Sequence, residues 1–250
     1  MNAIKAIFIK QLNDVFKNPT VTMMFIMFPL MAFMMVQFMG TGNPEEAFLI
    51  IANIAIMSIG SMPMVAIASY IAEDVEFRSL RFLVMAGVKP TQYLAGLALF
   101  VLILSMVAMA SFGFIGRLDG SDFMIFMGLS LVGCSASLIL GAVVGIFSKN
   151  VQQANTYATV LMMLIGFTPM IAQFNPEFIT YTYYLFTQQI SILLTYMALG
   201  GGEYALERFA TLGIDIDINF MRSTLIILAN VAIFTGLFAF IYKKKGLRGE

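Results

Sequence analysis

The side chains that could take part in chemistry are concentrated in one segment, residues 70–93, with the sequence YIAEDVEFRSLRFLVMAGVKPTQY. Apolar runs without any Asp, Glu, Lys or Arg flank it at residues 47–69 and 94–115. Closely spaced acidic and basic groups can bind a partner's surface through charge-assisted hydrogen bonds. The charged residues of the segment are Glu73, Asp74, Glu76, Arg78, Arg81 and Lys89.

The rest of the chain offers little reactive chemistry. It contains no histidine, the side chain that serves most often as general base and transition-metal ligand. It also lacks the G-x-x-x-x-G-K-[ST] motif with which a chain holds ATP. The acidic pair Glu45 and Glu46 falls in a short loop, and Cys134 stands alone in an apolar run, as a packing residue. We therefore expect no catalytic residue, no cofactor and no metal in this chain.

Composition and apolar run length predict an all-α, polytopic membrane protein. The chain is 60% hydrophobic and only 11% charged, whereas soluble domains carry about 25% charged residues. A spanning helix needs about 20 mostly apolar residues, and six charge-free stretches meet this requirement. Pro29, Pro63 and Pro169 lie inside these spans, where a proline kinks a helix. The predicted spans are residues 21–39, 47–69, 94–115, 123–147, 154–171 and 223–242.

The distribution of basic residues predicts the orientation of these spans. With the N-terminus inside, only Arg117, Arg208 and Arg222 of the 14 Lys and Arg residues lie outside. We therefore expect a multi-pass protein of the cytoplasmic membrane with both termini in the cytoplasm. A seventh span within residues 173–222 would place Lys243–Lys245 outside, so we expect one or two short helices there that lie on or dip into the outer leaflet.

Two further patterns predict helix packing. In residues 1–20, apolar side chains recur at helical spacing between Lys5, Lys10 and Lys17, which is typical of an amphipathic helix in the headgroup region. In the fourth span, small residues repeat every four positions and allow close helix contact. We expect them to pack within the chain, with a dimer seam as the alternative. They are Gly133, Ser137, Gly141 and Gly145.

Residues 73–90 have the features of a short helix that docks on a soluble protein. The acidic residues come early, where they would complement the helix dipole, and Gly87 and Pro90 would end the helix. The alternative is an ordinary charged loop. Helical spacing places a mixed face on one side of this element, formed by Phe77, Leu80, Val84 and Arg81.

The arrangement resembles the permease subunits of ABC-2 type ATP-binding cassette transporters, over essentially the whole chain. The resemblance rests on an acidic and a basic residue followed by apolar positions and a proline, and on the proline-bearing run 167–185 with Pro169 and Pro176. Many members carry a Gly-Thr pair where this chain has Ser79-Leu80. The residues at comparable places are Glu76, Arg78, Leu80, Leu83, Val88 and Pro90.

The resemblance implies one transmembrane domain, residues 1–250, with an elbow helix at 1–20, a coupling helix at 73–90 and a re-entrant segment at 173–222. It implies an exporter subunit that pairs with a second permease chain in the lipid bilayer and binds no nucleic acid. A separate ATPase subunit would hold ATP and Mg, and the cargo would be a hydrophobic or amphipathic drug or peptide. The implied ATPase-coupling residues are Glu73, Glu76, Phe77, Arg78, Leu80, Arg81, Leu83, Val84 and Pro90.

Two other classes of function stay open at this point. A membrane sensor or immunity protein would capture an amphipathic peptide without transporting it, and would not need an ATPase. A secondary carrier would need ionisable groups in its spans to carry the coupling ion, and the six predicted spans contain none.

Overall fold

The computed structural model describes residues 3–15, 19–39, 44–175, 177–202 and 219–245, and in these ranges the chain forms eleven α-helices and no β-strand. The all-helical prediction is confirmed. The helices are α1 (Ala3–Asp14), α2 (Pro19–Met39), α3 (Pro44–Glu76), α4 (Ser79–Met85), α5 (Pro90–Ile115), α6 (Gly120–Phe147), α7 (Val151–Ile165), α8 (Thr168–Phe174), α9 (Glu177–Thr182), α10 (Phe186–Ala198) and α11 (Phe220–Lys245).

Six helical stretches are long and apolar enough to cross a membrane, as predicted, and the chain is a multi-pass membrane protein. They are Val21–Met39, Ala47–Glu76, Pro90–Ile115, Gly120–Phe147, Val151–Phe174 and Phe220–Lys244. Helix α3 has 33 residues and is therefore about 50 Å long, against a hydrocarbon core of about 30 Å. Helix α3 is consequently longer than the hydrocarbon core that it would cross.

The centre of the bundle is the contact between α3 and α6, both of which are largely buried. A Cβ at Gly141 would overlap the carbonyl oxygen of Met64, and a Cβ at Gly145 would lie 2.8 Å from Ile71 Cβ. At Gly133 a Cβ would overlap side chains of α3 and α10. The small-residue face of α6 thus packs within the chain, as expected, because it lets the backbones approach closely.

The fifth span is broken, and this corrects the expectation that Pro169 lies inside a continuous helix. Helix α7 ends before Gly166, and Pro169 occupies the first turn of α8, where its missing N–H costs no hydrogen bond. A Cβ on Gly60 of α3 would lie 2.7 Å from Gly166 Cα, so two backbones touch at the break. Thr187 Oγ1 donates to the carbonyl of Ile165 at 2.7 Å, which satisfies a group that the break frees.

Residues 173–222 contain the short helices α9 and α10, while residue 176 and residues 203–218 lie outside the described ones. Helix α10 is almost entirely buried and packs against α3, α6 and α11. With 13 residues it is about 20 Å long, which is too short to span a bilayer. Gln188 and Gln189 of this helix are buried. Gln189 Nε2 donates to the carbonyl of Tyr183, whereas its Oε1 has no partner among the described residues.

The N-terminal helix α1 packs across the beginning of α5. Ile7 is buried, and a Cβ on Gly96 would lie 3.0 Å from Ile7 Cβ and 3.0 Å from the carbonyl oxygen of Ile4. The rings of Phe8 and Phe100 meet edge to face, with centroids 5.7 Å apart. The apolar stripe predicted in residues 1–20 therefore contacts the third span.

Candidate functional site

The charged segment between the second and third spans is a helix end, a tight turn and a separate short helix. Helix α3 continues to Glu76, and the Phe77 N–H still donates to the carbonyl of Glu73 at 3.0 Å. Arg78 then has φ 55°, a left-handed conformation that is uncommon outside glycine. Helix α4 follows and ends at Met85. Gly87 then has φ 78°, and the chain turns into α5 at Pro90.

This geometry corrects the expectation of one helix over residues 73–90. Glu73, Asp74 and Glu76 lie in the last turns of α3 rather than in the first turn of the short helix. Acidic groups at a helix C-terminus are unfavourable to the helix dipole, so other groups must compensate them. The backbone hydrogen bonds of α3 continue through the charged residues, and the turn at Arg78 then interrupts them.

Asp74 is compensated by a cluster that joins three helices. Lys10 Nζ of α1 forms an ion pair with Asp74 Oδ1 at 2.8 Å, and the Tyr93 hydroxyl of α5 donates to Asp74 Oδ2 at 2.7 Å. The Asp74 side chain is only 5% exposed, against 40% for Lys10. Both carboxylate oxygens therefore have a donor. The cluster fixes α1, the end of α3 and the beginning of α5 to one another, immediately beside α4.

Glu76 ties the same segment to the fifth span. Its Oε2 accepts a hydrogen bond from the Val151 N–H at the start of α7, at 2.9 Å. Four residues further along α7, Asn155 Oδ1 bonds to Ser69 Oγ of α3 at 2.6 Å. The carboxylate thus supplies a partner for a free N–H of the first helical turn, and the two helix ends are held together.

Large apolar side chains of the segment project away from the protein. Phe77 is 68% exposed, Phe82 67% and Met85 68%, while Leu83 is partly buried and packs against the core. Leu83, predicted as a coupling residue, therefore faces inward. We call Phe77, Phe82 and Met85 the α4 apolar surface. Exposed Arg78 and Lys89 lie in the turns before and after α4, and Pro90 is half-buried at the start of α5.

Sequence reasoning missed two members of this surface, Phe82 and Met85, and placed Leu80, Arg81 and Val84 on the docking face. The side chains of these last three lie outside the described residues. It also missed the ion pair of Lys10 with Asp74 and the hydrogen bond that Tyr93 donates to Asp74. The available signal was a lone basic residue on an amphipathic helix and a tyrosine at the start of a span, and neither feature identifies its partner.

Within the described ranges, no group of three or more His, Cys, Asp or Glu side chains could hold a metal ion. No protein-family model matches the sequence, and no curated protein matches it.

Proposed function

We propose that this chain is the membrane subunit of an ATP-driven exporter of the ABC-2 type, powered by a separate ATPase subunit that holds ATP and Mg. The observation behind the proposal is the α4 apolar surface, with three large side chains about two-thirds exposed. A short helix with such a ridge can fill a groove on a soluble partner, since aromatic and methionine side chains are enriched in protein interfaces.

The attachment of α4 supports a role in transmitting force. On the inner side of α4, Leu83 packs against the helix bundle, and so does Val88 in the turn after it. Just before α4, Asp74 bonds to Lys10 of α1 and Tyr93 of α5, and Glu76 bonds to the start of α7. A displacement of α4 by an ATPase would therefore act on the second, third and fifth spans together, as a coupling helix requires.

The finer assignments follow from this proposal. Helix α1 is the elbow helix, α4 with its flanking turns is the coupling helix, and α10 is the re-entrant element at the opposite end. Both termini and α4 lie in the cytoplasm, and the protein resides in the cytoplasmic membrane. A second permease chain, identical or paralogous, completes the transporter. The cargo is a hydrophobic or amphipathic drug or peptide that is moved outward.

Co-purification tests the proposal directly. The tagged chain is extracted from its native membrane in a mild detergent, and bound proteins are identified while ATPase activity is assayed. We expect a P-loop ATPase with the wild type and about a 100-fold weaker association with the Phe82→Ala/Met85→Ala variant. Losing two buried apolar side chains costs at least about 3 kcal/mol.

The control is Phe174→Ala, which removes an exposed phenyl ring from α8, another seven-residue helix. It should leave recovery of the ATPase unchanged. Equal recovery of the ATPase with the α4 double variant would show that α4 is not the docking element. Absence of any ATPase from the wild-type preparation would contradict the transporter and favour the sensor.

A further inference from the structure

Helix α7 presents an uncovered polar face within a membrane-spanning stretch. Its polar side chains recur at i, i+3, i+4 and i+7, so they project from one side of the helix. Gln152, Thr156 and Thr159 are exposed, and Asn155 is half-buried. The helix opens the candidate span Val151–Phe174, and Thr159 lies about 12 Å from its start. Part of this face therefore lies at the depth of the lipid.

Much of the hydrogen-bonding capacity of this face is unused. Asn155 bonds to Ser69, while within the described ranges the Gln152 amide and the Thr159 hydroxyl have no partner. An unsatisfied polar group in hydrocarbon costs several kcal/mol. The face must therefore meet water or a polar ligand rather than lipid tails.

The polar face forms the floor of an open, shallow groove of about 810 Å³. The groove is lined by α7 and the Asn150 before it, and Glu76 is the one lining residue from another helix. Glu76 lies at one end of it, and Val160 and Met163 line it further along α7. Among the groove-lining residues, Glu76 alone is ionisable. Its Oε2 is occupied by the Val151 N–H, while Oε1 has no donor among the described residues. The groove therefore has an anionic end, a neutral hydrogen-bonding floor and an apolar end.

We propose that this groove binds a cationic amphiphile, a small molecule with a protonated amine at one end and an apolar tail at the other. The ammonium group pairs with Glu76 Oε1, the adjoining polar atoms bond to Gln152 and Asn155, and the tail contacts Val160 and Met163. An anionic amphiphile is repelled by Glu76, and an uncharged one forgoes the charge-assisted bond. The inference rests on the proposed function, since it narrows the exporter's cargo to this chemical class.

Binding is measured on the full-length chain in nanodiscs of zwitterionic lipid, without any ATPase. The chain contains no tryptophan, so Leu164→Trp, at an exposed position one turn beyond Val160, supplies a single fluorescent reporter. The probes are dodecylamine, dodecyl sulfate and dodecyl maltoside with identically brominated tails, because bromine quenches tryptophan at short range. We expect saturable quenching by the amine and only the linear background of lipid partitioning with the other two.

The decisive variant is Glu76→Gln in the reporter background. It keeps an acceptor for the Val151 N–H and removes only the charge, and we expect about tenfold weaker binding of the amine. The control is Asp119→Asn, an equally conservative change at an exposed carboxylate at the start of α6, which should bind like the parent. Equal quenching by all three probes, or an unchanged affinity in Glu76→Gln, would overturn the proposal.

The other possible occupant is a second copy of the chain. A Thr156→Cys variant that crosslinks to itself in the nanodiscs, with no amine-dependent quenching, would assign the face to that copy and overturn the proposal. Because amine binding is measured without nucleotide or partner, failure of this proposal can be distinguished from failure of the proposed function. If amine selectivity is absent while the ATPase complex is intact, only the proposed cargo class is wrong. If the amine binds selectively but no ATPase co-purifies, only the proposed transporter function is wrong.

Discussion

The cluster around Asp74 allows a quantitative test of how α1 is held on the bundle. The perturbation is Lys10→Met, which removes the cation from a carboxylate that is only 5% exposed and keeps an apolar stem of similar length. A buried charge that loses its partner costs about 3–5 kcal/mol. We take about 3 kcal/mol, the lower end, because Tyr93 still donates to Asp74 at 2.7 Å.

Asp74→Asn should cost less. It removes the charge but keeps an acceptor for Tyr93, and Lys10 is 40% exposed and so regains water. We expect about 1–2 kcal/mol, in the range of a hydrogen bond to a charged group after allowance for solvent screening. The double variant Lys10→Met/Asp74→Asn should resemble Asp74→Asn, since it leaves no unpaired charge. The second substitution therefore rescues the first.

Amide hydrogen exchange of residues 3–14 measures this effect in detergent or nanodiscs, because local opening of α1 sets the exchange rate. Lys10→Met should accelerate exchange by about 100-fold, and the double variant should reverse most of that change. Asp122→Asn, at an exposed carboxylate of α6, is the control and should leave α1 unchanged. Additive losses in the double variant, or wild-type exchange in Lys10→Met, would refute the reasoning.

Two predictions concern stability. Gly141→Ala places a methyl group against the Met64 carbonyl and should lower the unfolding free energy in SDS titration by about 3 kcal/mol. The control is Gly128→Ala on the same helix, whose methyl group meets nothing within 4 Å and should be neutral or stabilising. Equal effects of the two variants would contradict the close contact of α3 and α6. Arg78→Gly should be about 1 kcal/mol more stable than Arg78→Ala in thermal unfolding, because glycine adopts the left-handed conformation without backbone strain. Identical melting temperatures of the two variants would show that this turn is unstrained.

The sequence by itself determined the class of protein and the number of spans. The hydrocarbon core excludes unsatisfied backbone groups and charges, so each crossing had to appear as a charge-free run of about 20 residues. The same rule located the charged segment between the second and third spans. The small-residue spacing in α6 likewise predicted close packing, since only residues without bulky side chains allow two helix backbones to touch.

Tertiary structure decided which side chains of the charged segment meet each other and which remain outside. Helix α4, SLRFLVM, has five apolar residues among seven, so periodicity cannot fix which side it buries. Packing of Leu83 against the core sets that rotation and leaves Phe82 and Met85 exposed. The partners of Asp74 lie 64 and 19 residues away along the chain, and such pairings arise only when the helices have packed.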